Sequence, residues 1–153
     1  MDHQEWKRIF QTGIIHPHHT WRLEFTDDLL SANETTTQYK RTTSAWFTCR
    51  RCGRPWPSNE VKVIFYIRHA DDQGTVIVKV FGQSCKNCEE APMETPQISL
   101  ENIEILMHEL VEMIKIYFYH EEDSGRRWNP IRLVINSTHE PDHCEGCKNG
   151  MCG

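Results

Sequence analysis

Val61-Lys62-Val63-Ile64-Phe65-Tyr66-Ile67-Arg68-His69, then Ala70-Asp71-Asp72-Gln73-Gly74, then Thr75-Val76-Ile77-Val78-Lys79-Val80-Phe81-Gly82 is the stretch from which the rest of the chain can be read. Both flanks are rich in β-branched and aromatic residues, and the short polar segment between them contains glycine, so the pattern predicts an antiparallel hairpin. A Cys-x-x-Cys pair stands just before its first strand, at Cys49 and Cys52, and another just after its second, at Cys85 and Cys88. The open ends of an antiparallel hairpin are neighbours, so the two pairs should meet.

Thiolates two residues apart on a tight turn approach one Zn²⁺ from the same side and supply half of a tetrahedral shell. Cys49, Cys52, Cys85 and Cys88 are therefore expected to form a Cys₄ zinc site resembling a ribbon of two knuckles. Gly53 follows Cys52 directly, where the backbone of such a knuckle often needs a positive φ. The remaining cysteines, Cys144, Cys147 and Cys152, need a fourth ligand, and His139 is placed for it in the order His-x₄-Cys-x₂-Cys-x₄-Cys; His143 is too close to Cys144 to reach round easily. Seven cysteines and one histidine make two complete shells, which implies two structural Zn²⁺ ions with no open position for water. Two other arrangements remain open: a single zinc with the last segment left apart, and a crossed pairing in which Cys144 and Cys147 complete the first site.

Outward from the hairpin, residues 2–10 place Trp6, Ile9 and Phe10 at helical spacing, and Gly13 and Pro17 end the run. Trp21, Leu23 and Phe25 alternate with Arg22 and Glu24 as in a half-buried strand. Residues 31–43, rich in Thr, Ser, Asn and Gln, read as an exposed loop. After the second cysteine pair, Ser99 is positioned as an N-cap, with Ile98 and Ile103 as a hydrophobic staple and Asn102 where a capping box would carry Glu or Gln. Ile103, Leu106, Met107, Leu110, Ile114, Tyr117 and Phe118 then recur at helical steps, and residues 131–135 read as a last strand. The expected fold is α+β: a small antiparallel sheet with zinc knuckles, one long helix packed on it, and a short N-terminal helix. Residues 1–153 read as one domain, with its ligand-bearing part from about residue 45 to Cys152.

The chain is 38% hydrophobic and 10% aromatic, enough for a core, with a formal net charge of −5. Seven thiolates and two zinc ions would bring it to roughly −8, the wrong balance for a generic nucleic-acid binder. The N-terminus is too polar for a secretory signal, and no run approaches the ~20 apolar residues of a membrane span. A reducing compartment is expected, which favours metal thiolates over disulfides and makes the sequons at Asn33 and Asn136 chance matches. The helix carries His108-Glu109, but Glu112 stands where a zinc protease needs a second histidine. His16-Pro17-His18-His19 lacks a partner constellation, so no catalytic site and no small-molecule substrate are expected.

Trp46-Phe47-x-Cys49-x-x-Cys52, Trp56-x-Ser58, Val80-Phe81-Gly82-Gln83-x-Cys85-x-x-Cys88 and the closing His139-x₄-Cys144-Glu145-x-Cys147-x-x-Gly150-x-Cys152 resemble the 3CxxC-type zinc finger of the receptor-transporting protein family. The resemblance implies a cytosolic accessory domain that helps seven-helix receptors of the olfactory, taste and opioid classes reach the plasma membrane by engaging their cytosolic segments. Many members hold this domain at the cytosolic face of the endoplasmic reticulum or plasma membrane through a C-terminal anchor, which this sequence does not contain. The same resemblance implies a competing activity, interferon-induced antiviral binding of single-stranded or viral RNA. Arg50, Arg51, Arg54 and Trp56, together with Trp46, are the candidate RNA or partner surface, since arginines beside aromatic rings suit unpaired bases. The alternative for the same residues is structural: tryptophans packing the knuckle, and arginines facing water or bonding the cysteine sulfurs.

Overall fold

In the computed structural model, residues 3–15, 19–30, 36–119 and 143–145 are described. In chain order the elements are α1 (His3–Gly13), β1 (Thr20–Phe25), β2 (Thr36–Thr48), β3 (Pro55–Ala70), β4 (Gln73–Val80), β5 (Gln83–Ser84), β6 (Met93–Glu94) and α2 (Leu100–Tyr119). The hairpin read from the sequence is β3 and β4, antiparallel, with Ala70 opposite Gln73. Its turn is carried by Asp71 at φ 55° and Asp72, not by Gly74, which lies inside β4. Aspartate tolerates the left-handed region through local hydrogen bonding, and that frees the glycine for another use. A Cβ on Gly74 would lie closer than 3.0 Å to the ring of Trp21 on β1, so the missing side chain is the space that ring occupies.

The four main strands are ordered β1-β4-β3-β2, and β1 runs parallel to β4. The expected antiparallel sheet is thus a larger mixed one. Parallel pairing joins Trp21 to Gly74 across two intervening strands, and a local pattern cannot reveal it. Residues 36–43, expected in a loop, form most of β2, pairing with β3 from Thr36 opposite Arg68 onward. Threonine is β-branched and suits a pleated, half-buried surface; polarity hid that propensity.

One face of the sheet carries the main core. Trp21 and Leu23, Ala45 and Phe47, Val61, Val63, Phe65 and Ile67, and Val76 and Val78 meet Trp6 and Phe10 of α1 and Ile103, Leu106, Met107, Leu110 and Ile114 of α2. The other face holds a smaller cluster of Ile64, Tyr66 and Phe81 with Leu30 and Ile77. β3 is therefore buried on both faces along its centre, which is why it reads as a continuous apolar run.

Helix α2 starts as expected. Ser99 Oγ accepts the Asn102 amide at 3.3 Å, and the staple residues Ile98 and Ile103 both lie in the core. Asn102 replaces the usual capping-box residue because its buried Nδ2 donates to the Ser44 carbonyl at 3.3 Å, beside the register shift in β2 between Thr43 and Ala45. Further along, Arg41 Nε donates to Glu109 Oε2 at 2.6 Å and ties β2 to the helix. Residues 131–135 lie outside the described residues. Among the described residues no helix is long and apolar enough to cross a membrane.

Candidate metal centre

Cys49 follows the last residue of β2, and the chain turns at once: the Cys49 amide bonds the Arg54 carbonyl at 3.0 Å, and the Gly53 amide bonds the Cys49 carbonyl at 2.9 Å. Gly53 sits at φ 75°, a conformation that glycine takes at no steric cost. This knuckle aims two amides at one sulfur, with Arg51 N at 3.4 Å and Cys52 N at 3.5 Å from Cys49 Sγ. The second knuckle leaves β5, and the Cys88 amide turns back onto the Cys85 carbonyl at 3.5 Å.

Because β2, β3 and β4 are neighbours in one sheet, the two knuckles arrive at the same corner of the molecule. The sulfurs of Cys49, Cys52, Cys85 and Cys88 all lie within 4.8 Å of one another. Cys49 and Cys88 are 3.7 Å apart, and so are Cys52 and Cys85. A tetrahedron with zinc–sulfur bonds of about 2.3 Å has sulfur–sulfur edges of about 3.8 Å, whereas a disulfide would need about 2.0 Å. The four thiols are free, with Cys49 and Cys85 buried, Cys88 half-buried and Cys52 exposed. Their number, type and spacing fit Zn²⁺. Four protein donors fill its shell, so the site suits a structural ion.

The protein tunes these sulfurs unequally. The Cys52 amide holds the Cys49 thiol below its usual range against the opposing effect of burial, with help from the Arg51 amide. Burial pushes the Cys85 thiol upward, but the Arg54 guanidinium, the Asn87 amide and the neighbouring thiols together bring it down to about 6. Cys88, bonded to the Cys49 sulfur and further raised by burial and by Cys52 and Cys85, is pushed up to about 12. In the metal-free cluster the Cys85 sulfur is thus readily a thiolate, while Cys88 holds its proton until a cation displaces it.

The arginines of the first knuckle reach the second knuckle and β6. Arg50 donates from its backbone to Glu94 Oε2 at 2.9 Å and from Nε to Glu94 Oε1 at 3.2 Å, fastening the knuckle to β6. Arg51 Nη1 donates to the Glu89 carbonyl at 2.8 Å, one residue past Cys88. Arg54 Nε lies 3.5 Å from Cys85 Sγ, with its guanidinium 4.8 Å from the centre of the Trp56 ring. Trp56 is itself stacked on Phe47 and donates from Nε1 to Gln83 Oε1 at 3.0 Å. Trp46, by contrast, is 46% exposed.

Cys144 is buried and forms a β-bridge with Gln83, yet its sulfur is not one of the four clustered ones. The crossed arrangement, with Cys144 in the first shell, is not the one the structure adopts. Its segment is held by Glu145, whose amide donates to the Gly82 carbonyl at 3.0 Å while its carboxylate accepts the Gly82 amide at 2.7 Å and Lys79 Nζ at 3.0 Å. His143 Nδ1 lies 3.1 Å from Ser84 Oγ. His139, Cys147 and Cys152 lie outside the described residues. The sequence reading placed Gln83 in the motif before Cys85 without a role, and missed Lys79 as part of this region. The signal was there: Lys79 is the one charge in the apolar strand Thr75-Val76-Ile77-Val78-Lys79-Val80, where a buried cation needs an anion.

Comparison with known proteins agrees with this geometry. The profile of the 3CxxC-type zinc ribbon, described as a zinc-binding domain, matches residues 42–150. Receptor-transporting protein 3 of Mus musculus is 31% identical over 99% of this chain and 34% of its own length. Receptor-transporting protein 4 of Homo sapiens is 29% identical over all of this chain and 65% of its own, and receptor-transporting protein 2 of Mus musculus is 27% identical over 96% and 69%. The chain thus spans about a third of the first of these relatives and about two thirds of the others. These relatives carry no enzyme's name, and no solved structure matches the chain. With four sulfurs gathered at zinc spacing inside a profile that covers most of the sequence, the chain belongs to the 3CxxC zinc ribbon family, in the zinc-binding domain that it shares with the receptor-transporting proteins.

Proposed function

We propose that this domain is a non-enzymatic accessory module that promotes the targeting and insertion of seven-helix receptors, of the olfactory, taste or opioid classes, into the plasma membrane. The observation that carries the reading is similarity along nearly the whole chain to proteins named for receptor transport. A closed four-thiol centre supports it: with its shell filled, the ion can brace a docking surface but cannot activate a substrate. The formal charge of −5 suits the basic cytosolic segments of such receptors and supports a location at the cytosolic face of the endoplasmic reticulum or plasma membrane where the full-length protein carries a tail. In the same reading residues 1–153 act as one unit, and a second Zn²⁺ is held by Cys144, Cys147, Cys152 and His139.

Arg50 is paired with Glu94 of β6, Arg51 and Arg54 hold partners in the second knuckle, and Trp56 is stacked on Phe47, so these groups are spent on structure and do not favour the RNA reading. The test is co-expression with a poorly trafficked olfactory, taste or opioid receptor, scoring receptor at the cell surface by flow cytometry. Surface signal should rise with the wild-type chain and not with Cys49→Ser. No rise for any receptor of the three classes at matched expression would refute the reading. Metal analysis of protein purified without chelator should give two zinc ions per chain, and one ion would remove the second site.

A further inference from the structure

The clustered sulfurs have different surroundings. Cys49 Sγ faces two backbone amides, which the knuckle supplies whatever its side chains are. Cys85 Sγ faces a side-chain cation, Arg54 Nε at 3.5 Å. A free arginine loses considerable rotamer freedom when held in one place. Here Trp56 holds it, and a ladder of further groups holds Trp56. Its guanidinium lies over Trp56 at 4.8 Å, and Trp56 is stacked on buried Phe47 with ring centres 5.2 Å apart and planes 10° from parallel. Trp56 Nε1 donates to Gln83 Oε1 at 3.0 Å, and Gln83 Nε2 donates to Ser58 Oγ at 2.8 Å. Gln83 and Ser58 are both buried, and Gln83 lies two residues before Cys85. One set of bonds therefore fixes the strand that presents the ligand and the cation that faces it.

We propose that Arg54 is a positioning residue that sets how long the centre retains its metal, and that Phe47, Trp56 and Gln83 form the ladder that aims it. Four thiolates around a divalent cation carry two excess negative charges. A guanidinium N–H directed at one sulfur offsets part of that charge and makes the thiolate a poorer nucleophile toward protons and competing electrophiles. Arginine suits this position because its planar cation stacks on an aromatic face while an edge N–H stays free to point elsewhere, and lysine cannot do both.

The inference rests on the Cys₄ centre and not on receptor transport, and the experiment separates the two. Metal content of the wild-type chain is measured first, so an empty wild-type centre condemns the site itself and not the role of Arg54. Zinc transfer from the loaded chain of residues 1–153 to a chromophoric chelator is then timed. Arg54→Gln should release zinc about tenfold faster, the lower end of the effect of such outer groups because Arg54 is only half-buried. Arg54→Lys should fall between Arg54→Gln and wild type. Trp56→Phe, which keeps the stack on Phe47 but loses the bond to Gln83, should accelerate release by a smaller factor. The cobalt-substituted proteins supply the readout that a merely structural role would not move: the sulfur-to-cobalt charge-transfer band should shift in Arg54→Gln while near-ultraviolet circular dichroism stays native. Wild-type release rates in both Arg54 variants, with the band in place, would overturn the proposal. Should Arg54→Gln fail to fold, Arg54→Lys and Trp56→Phe decide it alone.

Discussion

Replacing Lys79 by methionine tests what fastens the third cysteine segment to the sheet. The Lys79 side chain is 5% exposed and its Nζ lies 3.0 Å from Glu145 Oε2, while Glu145 is 24% exposed. At that distance the attraction is about 5 kcal/mol with an effective dielectric constant of about 20, before desolvation of both groups is subtracted. Removing one partner of a buried pair typically costs about 3–5 kcal/mol, because the other charge is left in place. Glu145 retains the Gly82 amide and some water, so the loss expected for Lys79→Met is nearer 2–3 kcal/mol. Methionine keeps much of the stem's volume beside Phe81, so little of the loss should come from packing. Urea unfolding of the zinc-loaded protein supplies the number, and hydrogen exchange at the Gly82 and Glu145 amides shows whether the loosening is local. The double variant Lys79→Met/Glu145→Gln completes the cycle and should recover at least about 1 kcal/mol, since it removes both charges. A loss below about 0.5 kcal/mol in the single variant, or the same loss whether or not Glu145 is charged, would refute the ion-pair reasoning.

Two further outcomes follow from the packing and from the thiols. Gly74→Ala should destabilise the fold by about 1–3 kcal/mol through collision with the Trp21 ring, and by much less in a Trp21→Leu background; equal losses in the two backgrounds, measured by thermal unfolding, would exclude the collision. At pH 7.5 the Cys85 thiol, lowered to about 6, is already ionised, whereas Cys88, raised to about 12, still holds its proton. Zinc uptake should therefore expel at least the Cys88 proton, and affinity should fall as pH falls, more steeply below about 6 where Cys85 must also be deprotonated. Calorimetry in two buffers of different ionisation enthalpy counts the protons, and none released would contradict this order of ionisation.

The hairpin and the two knuckles were legible because their determinants are local: β-branched runs, a polar turn, a two-residue cysteine gap and a glycine at positive φ. Ser99 was legible as a cap for the same reason. What stayed hidden depends on distant partners. β2 looked like a loop because its threonines show no clear alternation, and only pairing with β3 reveals what they are for. Gly74 looked like a turn glycine until the ring of Trp21 proved to fill its missing side chain. The roles of Arg51 and Arg54 as cross-ties between knuckles, and of Arg50 as a tie to β6, require knowing that these segments meet; without that, three arginines beside tryptophans read as a surface for nucleic acid.

The parallel pairing of β1 with β4 has a consequence for biosynthesis. Trp21 needs Gly74 beside it, so helix α1 and the first strand leave the ribosome about fifty residues ahead of the strand that will receive them. At about 5–20 residues per second that interval lasts seconds, long compared with the time a short helix takes to form. Throughout it Trp6, Phe10 and Trp21 have no core to enter, so the N-terminal segment, and not the cysteine-rich turns, is the stretch that nascent-chain chaperones should hold.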